Sequence, residues 1–189
     1  NNIPTILVVF GITGDLATRK IIPSLWRLFE QNLLSDHFSV LGFSRRNFSD
    51  KEFREFIRSA VVSHGGKDMR ENDFSRFFAH FSYQSGTFET AAAFQFLAQS
   101  ISNKEASWGV CANKLFYLAA SPSSYKPIFE NLANVKLNLP CGGDLGWSRV
   151  LVEKPFGADL ASAQSLKELL SRYFKEEQIY RIDHYLFKE

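Results

Sequence analysis

The sequence predicts an α/β fold built on a doubly wound, mainly parallel sheet, and three observations support this. Short apolar runs alternate with stretches of helical periodicity from one end of the chain to the other. The runs are nearly continuous, which is typical of strands that helices cover on both faces. The first run, TILVVF at 5–10, passes through a turn with two glycines directly into a helix. Together these features indicate a Rossmann-like sheet.

The first strand and helix are the most informative pair. The run at 5–10 is rich in β-branched residues and ends at a glycine, so it is predicted to be a buried strand. A helix is predicted over 15–32, with one broad apolar face. Asp15 suits the positive start of this helix. Pro23 is expected to kink or restart it, because proline disrupts a helix interior.

The remaining elements continue the alternation of strand and helix. Strands are predicted where apolar and aromatic residues cluster between turn residues, at 38–43, 79–83, 115–119, 149–153 and 179–182. Helices are predicted where apolar residues recur at helical spacing, at 50–63, 88–102, 124–134 and 159–175. Between them, HGGKDMREND at 64–73 is the most loop-like stretch.

Composition excludes several classes of function. The 189 residues favour a single domain over 1–189. A formal net charge of +2 gives no basis for binding nucleic acid or an anionic membrane, and no apolar run reaches the roughly 18 residues of a membrane span. The N-terminal residues lack the features of a signal peptide. Cys111 and Cys141 form neither a metal-binding spacing nor a disulfide framework, which favours a reducing, cytoplasmic location.

The turn GITGD after the first strand is suited to a nucleotide phosphate. Gly11 allows a tight turn, Gly14 lets the backbone approach a pyrophosphate, and Thr13 offers a hydroxyl. The helix that follows presents N–H groups and a partial positive charge to an anion. The spacing lacks the middle glycine of the common G-x-G-x-x-G fingerprint, so an ordinary turn capped by Asp15 is the alternative.

The end of the second strand indicates which dinucleotide is bound. Folds that take NAD usually carry an acidic residue there, which binds the ribose hydroxyls. Here the strand ends in Gly-Phe-Ser-Arg-Arg at 42–46, without an acid. Two guanidinium groups at that place suit a 2′-phosphate and favour NADP over NAD. The alternative is that Arg45 and Arg46 are merely solvated loop residues.

Polar residues also follow the later strands, at the sheet edge where open α/β sheets bind ligands. Lys154 follows RVLVE and is placed to bind a phosphate or to polarise an oxygen. The final stretch, RIDHYLFKE, offers His184, Tyr185 and Lys188, whose donors suit a phosphate monoester. A structural role is the alternative for His184 alone. Tyr125, beyond the turn AASP, either lies near a nicotinamide ring or fills the core, and its spacing favours the core.

These motifs together resemble the N-terminal, coenzyme-binding domain of the glucose-6-phosphate dehydrogenase family. The resemblance runs nearly end to end, in the family's order, through GITGDLATRKIIPSLWRLF, VLGFSRR, KLFYLAASPSSY, GWSRVLVEKPFGADL and EEQIYRIDHYLFKE. Of these, GDLA-x-x-K, EKPFG and RIDHYL are the most specific. The resemblance implies a dinucleotide fold, NADP as the oxidant and glucose 6-phosphate as the reductant. The products would be 6-phosphogluconolactone and NADPH, in the first step of the pentose phosphate pathway.

The resemblance also implies roles for individual residues, none of them as a metal ligand. The cofactor would be held by Gly11, Ile12, Thr13, Gly14, Asp15, Leu16, Arg45, Tyr125 and Lys154. Within this set, Arg45 would bind the 2′-phosphate. The sugar phosphate would be held by Lys154, which contacts both ligands, and by His184, Tyr185 and Lys188.

Two departures from the family pattern bear on these roles. Phe187 stands where the family has a glycine, and its bulk beside Lys188 weakens the sugar-phosphate assignment. The family's catalytic base, a histidine supported by an aspartate, lies in a second domain beyond Glu189. The chain is therefore expected to be cut short there, to supply the coenzyme site and part of the sugar-phosphate site, and to be inactive alone. A homo-oligomer is expected for the full-length protein.

Two other functions remain open on the sequence. A stand-alone dinucleotide-binding module without catalysis would share all the coenzyme residues and need none of the sugar site. Phe187 favours this module, whereas the intact EKPFG and DHY motifs disfavour it. Another oxidoreductase of the same fold, acting on a different sugar phosphate or using NAD, is the third possibility. A neutral residue in place of Arg45 would separate NADP use from NAD use.

Overall fold

The computed structural model describes residues 4–64, 69–141, 146–153 and 159–182. Within them, the strands are β1 Thr5–Phe10, β2 Phe38–Ser44, β3 Phe81–Ser85, β4 Asn113–Leu118, β5 Ser148–Glu153 and β6 Ile179–Ile182. All pair in parallel, in the order β3-β2-β1-β4-β5-β6. The order reverses between β1 and β4, as in doubly wound dinucleotide folds, so the predicted fold class is confirmed.

Helices cover both faces of the sheet. They are α1 Ile22–Glu30, α2 Asp50–Ser63, α3 Glu71–Phe78, α4 Ala91–Trp108, α5 Tyr125–Asn134 and α6 Leu160–Tyr173. The first three supply one apolar core and the last three supply the other. Short 3-10 turns lie at Pro122–Ser124 and Glu176–Gln178. No helix within the described residues is long and apolar enough to cross a membrane.

Aromatic packing fixes the two strand ends from which the site is built. Phe10 is the last residue of β1, and Phe43 is the second-last residue of β2. Both side chains are fully buried. Their ring centroids are 5.5 Å apart, and Phe94 of α4 lies 5.8 Å from Phe10 and 5.5 Å from Phe43. Such pairs stabilise by about 0.5–1.5 kcal/mol beyond their burial. The carboxyl ends of β1 and β2 are therefore held rigidly.

Pro23 divides the helix that was predicted as one piece over 15–32. The backbone forms a π-helical turn at Ala17–Ile21, in which the N–H of Ile22 donates to the carbonyl of Ala17. The α-helical winding then begins at Ile22, with Pro23 in its first turn. Proline is tolerated there because the first turn of a helix leaves its N–H groups unbonded in any case. The expected restart is confirmed, and the helix ends at Glu30.

The prediction of a loop over 64–73 was wrong at its end, because α3 begins at Glu71. Phe74 and Phe77 are fully buried in this helix, and Phe81, three residues after its end, is the first residue of β3. A helix of eight residues with two buried side chains is too short to show a helical periodicity in the sequence. The strand predicted at 79–83 lies two residues later, because Ala79 and His80 form the turn that ends α3, with their N–H groups donating to the carbonyls of Ser75 and Phe77.

Two further differences concern α4 and β5. The helix α4 continues to Trp108, beyond the predicted 102, and ends at Gly109, whose φ of 70° is the left-handed conformation typical of a helix end. In β5, buried residues alternate with half-buried ones, contrary to the expectation of strands buried on both faces. Leu151 and Ile182 are only partly buried against the core that α1, α2 and α3 supply.

Candidate functional site

A crevice of about 910 Å³ opens at the carboxyl edge of the sheet. It is lined by the turn after β1, the last residue of β2 with the two arginines that follow it, residues 88–89, and the turn that leads from β4 into α5. This edge, where the strand order reverses, is the place at which open α/β sheets bind ligands. The volume lies within the range of small-molecule sites.

The turn after β1 requires glycine at its first position. Gly11 has a φ of 85°, and a Cβ atom there would lie 2.5 Å from the carbonyl oxygen of Ala119. The N–H of Gly11 donates to the carbonyl of Phe43 at 2.8 Å, and the N–H of Gly14 donates to the carbonyl of Gly11 at 2.9 Å. The turn after β1 therefore lies directly against the turn after β4. A side chain at Gly11 would be strained and would also collide with that backbone.

Gly14 brings the start of the first helix to the crevice. A Cβ atom at Gly14 would lie 3.1 Å from the carbonyl oxygen of Gly11. The helix begins immediately after it, and the N–H of Thr18 donates to the carbonyl of Gly14 at 3.1 Å. Asp15 is exposed, and its carboxylate lies 3.5 Å from the guanidinium of Arg19, one helical turn further along the chain. This geometry presents a helix start and bare backbone to a ligand, which is the requirement for anion binding.

Three side chains connect the ends of β1, β2 and β3. The hydroxyl of Thr13 donates to the Ser44 hydroxyl at 3.1 Å, and Ser44 in turn shares a hydrogen bond of 2.8 Å with the Tyr83 hydroxyl. Tyr83 donates to the carbonyl oxygen of Arg46, and the N–H of Arg46 lies 3.4 Å from the Ser44 hydroxyl. Burial raises the pKa of Tyr83 above its usual value, so its hydroxyl remains a donor.

Arg45 and Arg46 are exposed at the rim of the crevice. The Arg46 guanidinium lies 5.7 Å from the centre of the Phe48 ring, a cation–π contact. Among the described residues, no carboxylate forms an ion pair with either guanidinium. Two arginines without an acidic partner give this end of the crevice a local positive charge that an anionic ligand can neutralise.

The turn after β4 supplies small and hydroxyl-bearing residues. Ala119 and Ala120 line the crevice, together with Ser121, Ser123 and Ser124. The hydroxyl of Ser121 lies 2.8 Å from that of Ser123 and 3.3 Å from that of Ser124. Small side chains leave space in the crevice, and the hydroxyl groups can both donate and accept hydrogen bonds.

Two buried tyrosines lie near the ends of β4 and β5. Tyr125 is 3% exposed and packs within the apolar core against Phe129, with ring centroids 6.0 Å apart. Burial raises the pKa of Tyr125 to about 12. Tyr117 donates a hydrogen bond to the carboxylate of Glu153, the last residue of β5. Burial, followed by that carboxylate, raises the pKa of Tyr117 well above its usual value.

The residues predicted to bind the cofactor fall into three groups. Those that line the crevice are Gly11, Thr13, Gly14 and Arg45. Those that pack into the apolar cores are Ile12, Leu16 and Tyr125, whereas Asp15 faces solvent. Those that lie outside the described residues are Lys154, together with the sugar-phosphate candidates His184, Tyr185 and Lys188 and the neighbouring Phe187. The roles of all these residues stay predictions.

Sequence reasoning gave no role to Ser44, Tyr83, Ser123 or Ser124, although it placed Ser121, in the turn AASP, at the ligand edge of the sheet. Ser44 and the serines follow the rule already applied to Arg45, because they stand at the carboxyl ends of strands. Tyr83 carries no such signal, since it lies inside β3 and reaches Ser44 only through the pairing of β3 with β2.

A family model described as the NAD binding domain of glucose-6-phosphate dehydrogenase matches residues 8–189. Glucose-6-phosphate 1-dehydrogenase 2 of Mycobacterium bovis is 40% identical over 186 residues, and glucose-6-phosphate 1-dehydrogenase of Treponema pallidum is 42% identical over 190 residues. Each match covers 98% of this chain and 36% of the relative. The chain thus spans little more than a third of the length of these relatives.

Solved structures agree with the sequence matches. A glucose-6-phosphate dehydrogenase in complex with its substrate glucose-6-phosphate is 33% identical, with a TM-score of 0.85 over all of this chain and 38% of that one. Glucose-6-phosphate 1-dehydrogenase from Mycobacterium avium is also 33% identical, with a TM-score of 0.81 over 97% of this chain and 37% of that one. The six-stranded parallel sheet and its helices are therefore shared with both.

Proposed function

The chain belongs to the glucose-6-phosphate dehydrogenase family, and on that basis we propose that it holds the NADP of an enzyme that oxidises glucose 6-phosphate. The substrate would lose a hydride to NADP and become 6-phosphogluconolactone, in the first step of the pentose phosphate pathway. The observation that carries the choice of NADP is the pair of arginines at the end of β2, on the rim of the same crevice as the glycine turn.

The glycine turn fits the pyrophosphate of a dinucleotide. Gly11 and Gly14 line the crevice with backbone alone, and the first helix starts directly beyond them. Backbone N–H groups and the positive end of the helix favour a pyrophosphate there. Gly11 also lets the turns after β1 and β4 meet.

The arginine pair fits the additional phosphate of NADP. A 2′-phosphate carries charge that NAD lacks, and guanidinium groups bind it with charge-assisted hydrogen bonds. The last residue of β2 is Ser44 and not an acid, so the strand end itself carries no carboxylate to repel the phosphate or to bind the ribose hydroxyls in its place; Glu89, which also lines the crevice, lies between β3 and α4. The hydrogen bond from Tyr83 to the Arg46 backbone holds this loop beside the crevice.

NADP supplies the hydride acceptor when bound, and the proposed sugar site comes from residues beyond the described crevice. Lys154, His184, Tyr185 and Lys188 remain the proposed donors to the sugar phosphate, on the resemblance of EKPFG and RIDHYL to the family. Fixing the phosphate would orient the sugar toward the nicotinamide. Hydride transfer also needs a base for the sugar hydroxyl, and we expect that base outside this chain. A homo-oligomer and a cytoplasmic location stay predictions.

Binding measurements on Arg45→Gln test the choice of cofactor. Removing charge-assisted hydrogen bonds of about 1.5–3 kcal/mol should weaken NADP binding roughly 10- to 150-fold and leave NAD binding nearly unchanged. Arg172→Gln, an exposed arginine in the last turn of α6, is the matched control for the loss of one charge. Equal affinity of the parent protein for NAD and NADP, or an equal loss for both in Arg45→Gln, would reject NADP as the preferred cofactor.

Activity assays separate the enzyme from a binding module. The protein from which this chain derives should reduce NADP with glucose 6-phosphate, and its rate should fall with Lys154→Met. The 189 residues alone should bind NADP without turnover. Enzyme-like turnover by the chain alone would show that the base lies within it. NADP binding without sugar-dependent reduction in the longest natural form would support the stand-alone dinucleotide-binding module instead.

A further inference from the structure

A second cluster of reactive side chains lies at the amino edge of the sheet, opposite the crevice. It comprises Glu105 near the end of α4, Lys114 in β4, and the two cysteines that precede β4 and β5, Cys111 and Cys141. A carboxylate oxygen of Glu105 and the two sulfur atoms all lie within 4.8 Å of one another. Nothing in the proposed coenzyme site uses these residues.

The cluster is a thiol site and not a vacant cation site. Two sulfurs and a carboxylate are ligands that a thiophilic metal ion accepts. However, the ammonium nitrogen of Lys114 lies 2.8 Å from the Glu105 carboxylate and 2.9 Å from the Cys141 sulfur. The Lys114 side chain is 6% exposed and also donates to the carbonyl of Ala112 at 3.3 Å. A cationic group of the protein therefore already neutralises the carboxylate.

We propose that Cys111 and Cys141 form a redox pair that a small external disulfide, such as glutathione disulfide, converts into an intramolecular disulfide. In the first step, the thiolate of one cysteine attacks glutathione disulfide, forms a mixed disulfide and releases one glutathione thiolate. In the second, the other cysteine displaces the bound glutathione and forms the intramolecular bond. Two cysteine thiols are oxidised, one glutathione disulfide is reduced to two glutathione molecules, and these take up the two thiol protons.

The local backbone is built to bring the two sulfurs together. Both cysteines are exposed, so a small disulfide can reach them. A Cβ atom at Gly146 would lie 2.8 Å from the Cys141 sulfur and 3.1 Å from Cys111 Cβ, so only glycine leaves space for both side chains. The N–H of Cys141 donates to the carbonyl of Gly146 at 3.0 Å and holds this arrangement. The two sulfurs lie within 4.8 Å of each other, and a disulfide requires them to approach to about 2 Å with the two Cβ atoms about 3.5–4.5 Å apart.

The neighbouring charges assign the order of the two steps. The Cys141 sulfur is held by the Lys114 ammonium at 2.9 Å, and burial raises the pKa of this thiol to about 11, so the first attack is assigned to the other cysteine, Cys111. The Cys141 thiol is held 3.3 Å from the Glu105 carboxylate, which orients it, and its proton leaves with the displaced glutathione. The ammonium of Lys114 then stabilises the resulting thiolate as it displaces glutathione. Cys141 is therefore the resolving cysteine.

The new bond would connect the two segments that lead into β4 and β5. Asn113 already joins them, because its side-chain oxygen accepts hydrogen bonds from the N–H groups of Gly146 at 3.0 Å and Trp147 at 3.2 Å. A covalent link at the same place restricts the unfolded chain between 111 and 141 and so favours the folded state. Oxidation should therefore stabilise the sheet while leaving the crevice at its other edge unchanged.

The proposal is tested by mapping the bond in the protein treated with glutathione disulfide. After alkylation of free thiols, trypsin places Cys111 in peptide 105–114 and Cys141 in peptide 137–149, so the bond gives one linked species of these two peptides. We expect this species, and a melting temperature higher by about 5 °C or more. Dithiothreitol should reverse both changes, and the affinity for NADP should stay the same.

Cys111→Ser is the matched control, because it removes the first attacking thiol but retains the contacts of Cys141 with Lys114 and Glu105. Neither this variant nor Cys141→Ser should form the linked species or gain thermal stability. If both cysteines of the parent protein carry glutathione and the linked peptides do not form, the proposal is wrong. Mapping of the parent protein decides this even if a serine variant fails to fold.

Discussion

Thr13 donates a hydrogen bond of 3.1 Å to Ser44, and this bond fastens the turn after β1 to the last residue of β2. Ser44 passes the connection to Tyr83 at 2.8 Å, and Tyr83 donates to the backbone of Arg46. The chain of hydroxyls fixes the glycine turn relative to the arginine pair. In the proposed function, these two places hold the pyrophosphate and the 2′-phosphate of one coenzyme molecule, so their separation must match NADP.

Tyr83→Phe should weaken NADP binding without affecting NAD. The ring would keep its stacking on Phe53, with centroids 4.6 Å apart, but would lose its bonds to Ser44 and Arg46. The loss of two hydrogen bonds of about 0.5–1.5 kcal/mol each, about 1–3 kcal/mol together, predicts a roughly 5- to 150-fold lower NADP affinity, measured by calorimetric titration. Tyr180→Phe, at an exposed position in β6, is the control. Equal losses for NAD and NADP would mean that Tyr83 only supports the fold.

Gly11→Ala should abolish coenzyme binding and destabilise the fold. Its Cβ would meet the Ala119 carbonyl at 2.5 Å, and the residue would also have to keep a φ of 85°. Gly109→Ala separates the two effects, because Gly109 has a φ of 70° but no atom within 4 Å of its added Cβ. We expect Gly109→Ala to cost about 1–2 kcal/mol in unfolding free energy by urea titration, and Gly11→Ala to cost distinctly more. Similar costs would show that the turns after β1 and β4 can separate easily.

Sequence patterns located the elements best where local signals mark their ends. The bounds of α2 at 50–63 were predicted correctly, since Ser49 and Glu52 form a capping box that is visible as Ser-Asp-Lys-Glu. The glycine turn and the missing acid after β2 were likewise readable, because both depend on residues adjacent in the chain. The fold class followed from the alternation of strands and helices.

The link between Tyr83 and Ser44 could not be predicted, because it depends on which residues of β2 and β3 lie side by side. In the structure Tyr83 is level with Gly42, and Ser44 lies beyond it on the same side of the sheet. A shift of one residue would turn Tyr83 to the opposite face. The sequence does not show which residues of β2 and β3 are paired, so the hydrogen bond from β3 to the candidate site could not be predicted.

The ion pair between Lys114 and Glu105 offers a test of partly buried charge. Lys114→Met would leave the Glu105 carboxylate, whose side chain is 19% exposed, without its cation. We expect a loss of about 2–4 kcal/mol in unfolding free energy under reducing conditions, partly recovered when Glu105→Gln is added. Lys126→Met is the control, because its pairing with Glu130 at 3.9 Å is exposed and should contribute less than about 0.5 kcal/mol. No recovery in the double variant would mean that Lys114 acts through packing.

Tyr125 should make the protein sensitive to alkaline pH. Burial raises the pKa of Tyr125 to about 12, whereas a tyrosine in the unfolded chain ionises near pH 10. The stabilisation from this shift is complete below pH 10 and is lost as the pH rises from about 10 to 12. Tyr125→Phe removes the ionisable group but keeps the ring beside Phe129. Between pH 8 and pH 11, the parent should therefore lose about 1 kcal/mol more unfolding free energy than the variant.

The unfolding free energies of the parent and Tyr125→Phe would be measured by urea titration at the two pH values. Tyr117 makes the same contribution to the pH dependence of both proteins, so it cancels when they are compared. Tyr180→Phe is the control for the loss of a tyrosine hydroxyl. Because Tyr180 is 44% exposed, we expect this variant to show the same dependence of stability on pH as the parent. If the parent and Tyr125→Phe lose stability equally up to pH 11, water must reach the Tyr125 hydroxyl. That access would place the hydroxyl within reach of a ligand in the crevice, which is the role that the family resemblance implies for this residue.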